Sequence, residues 1–437
     1  MIDCGLFQGL KELRQRNWQS LPLSPASIGW VILTHAHIDH SGYLPRLVHD
    51  GFSGPIYATP GTADLLDILL PDSARLQEED ADYANRKGYS KHKPAVPLYT
   101  EADARRTLKQ VQKVSYNEEV RLSKLLKIRF IPAGHILGSS FVAADITERD
   151  HDPIRVLFSG DIGRYSEPIL NDPAPVEEAD YLLIESTYGN RLHEHADPKD
   201  RLAEIINATA SRGGKVIIPA FAVGRTQLLV YYLRELEDEG RIPVLPVAVD
   251  SPMGVSVTKL YSKHGEDHDL DMQALVKMKR NPLATRSFSL VQGKDGSKTL
   301  GQQPGPAIII SASGMATGGR VLHHLARYLP DPASAVILVG YQAVGTRGRR
   351  MQEGEQEIKI HGQMVPVNAR VESMGSLSAH ADSGELLRWL QGFKRPPRTT
   401  FIVHGEPESA VALRDSIASQ FGWNVVIPTY KEVVELG

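Results

Sequence analysis

Between Trp30 and Pro45 the chain reads WVILTHAHIDHSGYLP, an apolar run followed by four potential metal donors, His35, His37, Asp39 and His40, within six residues. No other stretch limits the fold so tightly. An isolated His-x-His pair is common on protein surfaces, but His-x-His-x-Asp-His at the end of an apolar strand calls for a rigid sheet edge that turns alternate side chains toward one point. On that geometry His35 and His37 share one cation, while Asp39 and His40, at a helix start, face a second cation close by. Imidazole and carboxylate without thiolate suit zinc, with manganese or iron admissible, in sites that keep a position open for water. Such a donor set suits hydrolysis better than scaffolding.

This segment supplies only two donors per cation, so the others must come from elsewhere. PAGHILGSS places His135 in a glycine-flanked turn, VLFSGDIGR puts Asp161 directly after a strand, and TTFIVHGE supplies His404 after another. A carboxylate has two oxygens, so Asp161 can bridge two cations.

The chain has 437 residues, too many for one ordinary core, so two domains or one domain with a large insertion are expected. Short β-branched strands ending in Gly, Ser, Asp, Glu or His alternate with helical stretches, the pattern of sheets covered by helices. RVLFSGD, YLLIES, GGKVIIPAF, PAIIISASG and SAVILVGYQ are examples. Helices are expected over 202–211, 226–239, 320–328 and 385–391 from apolar residues recurring every three or four positions. The stretch 72–119 reads as polar and largely helical, capping a site or lying on the surface, and 263–305 as an exposed excursion in which HGEDHDLD is a solvated loop rather than a metal site. A single cysteine, Cys4, excludes a disulfide framework and a thiolate zinc site and fits a reducing, cytoplasmic compartment. No apolar run approaches the ~20 residues that span a bilayer, so no membrane partner is expected. A formal net charge of −3 means that a polyanion would be held by a local patch or by metal ions.

The order Asp3, His35-x-His37-x-Asp39-His40, His135, Asp161 resembles the metallo-β-lactamase superfamily. ESTYGN at Glu185, SAHAD at His380 and VHGE at His404 resemble the three extra motifs of its β-CASP branch of nucleic-acid-processing nucleases. FAVGRTQ, SASGMATGGRVLHHL and VGYQAVGTRGR are similar to the branch's RNA-processing ribonucleases, relatives of ribonuclease J and the pre-mRNA 3′-end cleavage endonuclease. The resemblance implies an α/β fold: a metallo-β-lactamase αββα sandwich built from 1–193 and 367–437, with an inserted β-CASP α/β domain at 194–366. Relatives open with a Gly-rich strand pair, so this chain is expected to lack that first hairpin or to have its true start upstream.

By position, the resemblance assigns one Zn2+ to His35, His37, His135 and Asp161 and a second to Asp39, His40, Asp161 and His404, with Mn2+ admissible. Asp39, Glu185 and His380 become the catalytic set: Glu185 supports the site by hydrogen bonding, and His380 is the candidate general acid. Asp3 organises the metal loop from behind. The implied activity is hydrolysis of single-stranded RNA, leaving 5′-phosphate and 3′-hydroxyl ends, in a chain for which a homodimer is admissible. A DNA nuclease of the same branch, a small-molecule metallo-hydrolase and a non-catalytic RNA-binding subunit are the alternatives. His404 favours RNA over DNA, and the intact donor set argues against the non-catalytic role.

Three further sites are candidates for gripping substrate. IIISASGMATGGR runs from a strand through small residues toward a helix, so N–H groups near Ser313, Gly314 and Met315 can cradle a phosphate. Arg225, after FAVG, can clamp a second phosphate, and Ser378 beside His380 is another donor. The RGRR run at 347–350 is either backbone-tracking charge or a solvated turn.

Overall fold

The computed structural model describes residues 1–88, 92–147, 153–193 and 197–437. They fall into two compact units, Met1–Leu192 with His380–Gly437, and His193–Ala379.

The first unit contains two sheets. A small parallel sheet has the order Val31–Ile32, Ile56–Ala58, Val111–Lys113. A seven-stranded mixed sheet has the order Val425–Val426, Thr399–Ile402, Tyr181–Ile184, Ile154–Phe158, Ser140–Ile146, Leu126–Pro132, Glu119–Arg121. The first four of these strands run parallel and the rest pair antiparallel. Strand alternation divides the side chains between two cores. Ile128, Phe130, Val142 and Ala144 face the small sheet and meet Ile32 and Val114. Phe141, Ala143, Leu157, Leu182 and Ile184 face the other way, under the helices Ser383–Leu390 and Pro407–Phe421, which contribute Leu386, Trp389, Leu413 and Ile417. The helices Leu44–His49, Pro60–Lys87 and Glu101–Leu108 complete the layers beside the small sheet. The result is an αββα sandwich.

The second unit is built on a six-stranded, all-parallel sheet ordered Phe288–Leu290, Val247–Val249, Ala307–Ser311, Lys215–Pro219, Ala335–Val339, Arg370–Met374. Its central strands are buried along their whole length, as a parallel sheet covered on both faces requires. The helices expected from periodicity form at Pro198–Ser211, Arg225–Asp238 and Val321–Tyr328, and in the first unit at Ser383–Leu390.

Several expectations need correction. The second unit continues past 366, because Arg370–Met374 adds an edge strand beside Ala335–Val339. The supposed excursion at 263–305 supplies the opposite edge strand, Phe288–Leu290, and the helices Leu270–Lys277 and Lys294–Gln302. HGEDHDLD is not a solvated loop: His264, Asp267 and His268 are buried, and His268 Nε2 lies 2.5 Å from the Tyr261 carbonyl. Within 72–119, the Pro60–Lys87 helix buries Ala74, Ala81 and Ala84, so this stretch is only partly surface. Among the described residues no helix is long and apolar enough to cross a membrane.

Candidate metal centre

The donors arrive on loops at one edge of the first unit. The parallel strands Ile154–Phe158, Tyr181–Ile184 and Thr399–Ile402 end just before Asp161, Glu185 and His404, the edge where sites gather in such sheets. Val31–Ile32 leads through Thr34 to His35 and His37, and the one-turn helix Ile38–Ser41 carries Asp39 and His40. His135 sits in the turn between two antiparallel strands, where its N–H donates to Ser139 Oγ at 2.9 Å. His404 has a φ of 50°, a conformation that non-glycine residues hold only when their surroundings enforce it. The enforcing bonds are Val403 N–H to the Ile184 carbonyl, 2.8 Å, and Ser186 N–H to the His404 carbonyl, 3.0 Å.

Four donor atoms converge in the first group. His37 Nδ1 lies 3.1 Å from His35 Nε2 and 3.2 Å from His135 Nε2, and Asp161 Oδ2 lies 3.3 and 3.4 Å from those same two Nε2 atoms. Donors held tetrahedrally at about 2.0–2.1 Å from zinc are themselves about 3.3 Å apart. Four of the group's six edges therefore already match those of a zinc tetrahedron.

The other oxygen of the same carboxylate belongs to a second group. Asp161 Oδ1 is 3.2 Å from His40 Nε2 and 3.4 Å from His404 Nε2, which is 4.0 Å from Asp39 Oδ2. His40 Nε2 and Asp161 Oδ1 are buried and face one another without forming a hydrogen bond, an arrangement that a shared cation satisfies. Asp161 thus stands between the two groups. Both fit zinc: the donors are imidazole and carboxylate, and the more open second group leaves room for water.

Protonation supports this fit in the first group. Burial and the neighbouring His35 push His37 down to about 3, and burial also lowers His35 and His135, so all three imidazoles are neutral and can offer a lone pair. Burial would raise the Asp161 carboxyl, but the surrounding imidazoles His40, His404, His35 and His380 outweigh it and hold the group well below the usual carboxylate range. His380 behaves differently. Burial lowers it, yet Glu185 and Asp161 prevail and raise it to about 9, so in the metal-free chain it is an imidazolium at neutral pH. Its Nδ1 lies 3.3 Å from Glu185 Oε1 and 3.9 Å from Asp161 Oδ2. Glu185 is fully buried and accepts the Ile162 N–H at 2.6 Å. A bridge from Gly163 to His380, with the Ala381 N–H on the Ile162 carbonyl at 2.8 Å, fixes the histidine beside Asp161.

Behind the donors, Asp3 accepts the Thr34 N–H on Oδ1 at 2.8 Å and the His40 Nδ1–H on Oδ2 at 2.8 Å. Two residues of this layer were not legible in the sequence. The Thr34 hydroxyl bonds both Asp3 and His35; its only signal is a position next to the first histidine. Gly160, at φ 50°, lies so close to Thr34 that a Cβ there would meet Thr34 Cβ at 2.6 Å.

The residues expected to contact phosphate lie in the second unit. Arg225 is buried at the start of its helix, with Nη1 donating to the Leu377 carbonyl at 2.9 Å. Ser313, Gly314 and Met315 lie between the strand Ala307–Ser311 and the helix Val321–Tyr328. Ser313 Oγ accepts the Thr317 N–H at 3.0 Å, and Gly314 is required because a Cβ would meet Phe221 at 2.8 Å. The Ser378 side chain is buried, and its N–H closes the short turn Gly375–Leu377. The RGRR run opens the helix Arg347–Gln352 rather than a turn: Arg347 binds the carbonyls of Lys359, Ala316 and Thr317, while Arg349 and Arg350 pair with Glu353 and Glu355.

An αββα sandwich carrying two histidine-rich donor groups that share one carboxylate defines a metallo-hydrolase of the metallo-β-lactamase type. Comparison with known proteins refines this. Residues 1–219 match the β-lactamase superfamily domain, 226–351 the β-Casp domain, and 364–428 the Zn-dependent metallo-hydrolase RNA specificity domain. A ribonuclease of Thermus thermophilus is 36% identical over 96% of this chain and 90% of its own length. The transcription termination factor FttA of Methanosarcina mazei is 32% identical over all of this chain and 68% of its own. An RNase J-like protein of Methanocaldococcus jannaschii is 30% identical over 99% of this chain and 92% of its own. The chain belongs to the β-CASP branch of the metallo-β-lactamase superfamily, a family of RNA-processing metallo-hydrolases.

Proposed function

We propose that the protein is a zinc-dependent ribonuclease that cuts single-stranded RNA by hydrolysis, using two cations and leaving 5′-phosphate and 3′-hydroxyl ends. The observation that carries this reading is one buried carboxylate, Asp161, with each oxygen facing a separate cluster of imidazoles. His35, His37, His135 and Asp161 would hold one zinc, and Asp39, His40, His404 and Asp161 the other. Bound there, the pair supplies an acidified water and positive charge against the charge that develops on the phosphate.

The remaining steps fall to the chain's own groups. Asp39 is the most exposed donor and is placed to orient the attacking water. His380 carries the proton for the leaving oxygen. With its Nδ1 turned to Glu185 Oε1, donation comes from Nε2, and Glu185 holds the ring and keeps it charged. No step uses a 2′-hydroxyl, so the preference for RNA rests on the family matches rather than on the chemistry. The same reading places the enzyme in the cytoplasm, where the single, buried Cys4 stays reduced.

The test is incubation of a 5′-labelled single-stranded RNA, and a DNA of matched sequence, with the zinc-loaded chain. RNA cleavage with 5′-phosphate products is expected, together with loss of cleavage in Asp39→Ala and in His380→Ala. Equal cleavage by wild type and Asp39→Ala would refute the reading. Preferential cutting of the DNA would move the protein to the other arm of its branch.

A further inference from the structure

The geometry points to the Thr34 hydroxyl as a positioning residue that, together with Asp3, presents one imidazole in each of the two donor groups; the inference rests on reading those groups as cation sites. Thr34 Oγ1 donates its one proton to Asp3 Oδ2 at 2.8 Å, since an ionised carboxylate has none to give. The 3.0 Å contact between the same oxygen and His35 Nδ1 must then use a proton on His35. That fixes the His35 tautomer with hydrogen on Nδ1, so that Nε2 offers its lone pair 3.3 Å from Asp161 Oδ2. His40 is fixed in the same way without an intermediary, its Nδ1 lying 2.8 Å from Asp3 Oδ2.

One carboxylate oxygen therefore governs a ligand in both groups, reaching His40 directly and His35 through a hydroxyl. The surroundings keep the relay rigid. Thr34 is fully buried, its carbonyl accepts Ser140 N–H and Oγ–H, each at 2.9 Å, and its own N–H is held by Asp3 Oδ1 at 2.8 Å. Carboxylates behind metal-bound histidines are a general device. Here the carboxylate acts through a threonine, and the two groups should respond differently when that hydroxyl is lost.

The experiment measures zinc affinity of the full chain by competition with a chromophoric chelator. In a His404→Ala background, where only the first group is complete, Thr34→Val should weaken zinc by about 10–100-fold, and Thr34→Ser should bind as the parent does. In a His37→Ala background, where only the second group is complete, Thr34→Val should leave affinity unchanged and Asp3→Ala should lower it. Cobalt substituted into the His404→Ala chain gives a second readout: its visible absorption should change with Thr34→Val and not with Thr34→Ser. If the valine variant does not fold, Thr34→Ala against Thr34→Ser asks the same question of the hydroxyl alone. Unchanged zinc affinity in folded Thr34→Val or Thr34→Ala would overturn the relay while leaving the cation sites standing. A wild-type chain that binds no zinc would overturn both.

Discussion

Replacing Gly160 by alanine tests how tightly the donor layer is built. Gly160 has a φ of 50°, and an added Cβ would lie 2.6 Å from Thr34 Cβ, 2.7 Å from Oγ1 and 3.0 Å from Cγ2. The left-handed backbone costs a non-glycine residue about 1–2 kcal/mol. Ordinary carbon contacts are about 3.5–4.0 Å, so relief of the clash needs a displacement of about 1 Å, and overpacking of this kind costs about 1–3 kcal/mol. The total is about 2–5 kcal/mol. The displaced residue is bonded to Asp161, and metal–ligand distances tolerate about 0.2 Å, so zinc affinity should fall along with stability. Gly240→Ala is the control: its φ is 68° and nothing lies within 4 Å of the added Cβ, so it should show the backbone cost alone. Chemical denaturation of the metal-free chains and chelator competition for zinc read the two effects. If Gly160→Ala is as stable as Gly240→Ala and binds zinc like wild type, the close packing of Thr34 against the Asp161 loop does not govern the site.

Other regions respond on different axes. His380 is raised to about 9 in the folded, metal-free chain, so its contribution to stability should be fully present below the unfolded value of about 6.5 and lost as pH rises through about 9; Glu185→Gln should shrink that loss, and NMR titration of the ring should find the midpoint lowered. In the second unit, the buried Asp250 is held by Arg320 Nη1 and His324 Nε2, each at 2.7 Å. Arg320→Met should destabilise the chain by about 3 kcal/mol, read in urea, whereas the double change Asp250→Leu/Arg320→Met should recover part of that loss.

The parts of this account that were legible in the sequence have local causes. His35, His37, Asp39 and His40 are adjacent in the chain, and a strand feeding a one-turn helix is enough to bring them together. The helices at 198–211, 225–238 and 321–328 carry their period in their own residues. Failures occurred where a partner distant in sequence decides the outcome. Nothing near Arg347 announces that the carbonyls of Ala316 and Thr317 will engage it, and nothing near Arg225 announces Leu377. His264 and His268 look solvated among acids, yet tertiary packing buries both. Threonine at a strand end carries no signal of its own; Thr34 gains its role only from Asp3, 31 residues away, which accepts its hydroxyl proton.

The claim on which the whole account depends is that one carboxylate serves two cations. Anomalous diffraction from crystals of the zinc-loaded protein measures this directly. The prediction is two peaks, one within about 2.0–2.2 Å of each Asp161 oxygen, the first among His35, His37 and His135 and the second beside His40 and His404. A single peak, or two peaks of which one lies away from Asp161, would contradict it.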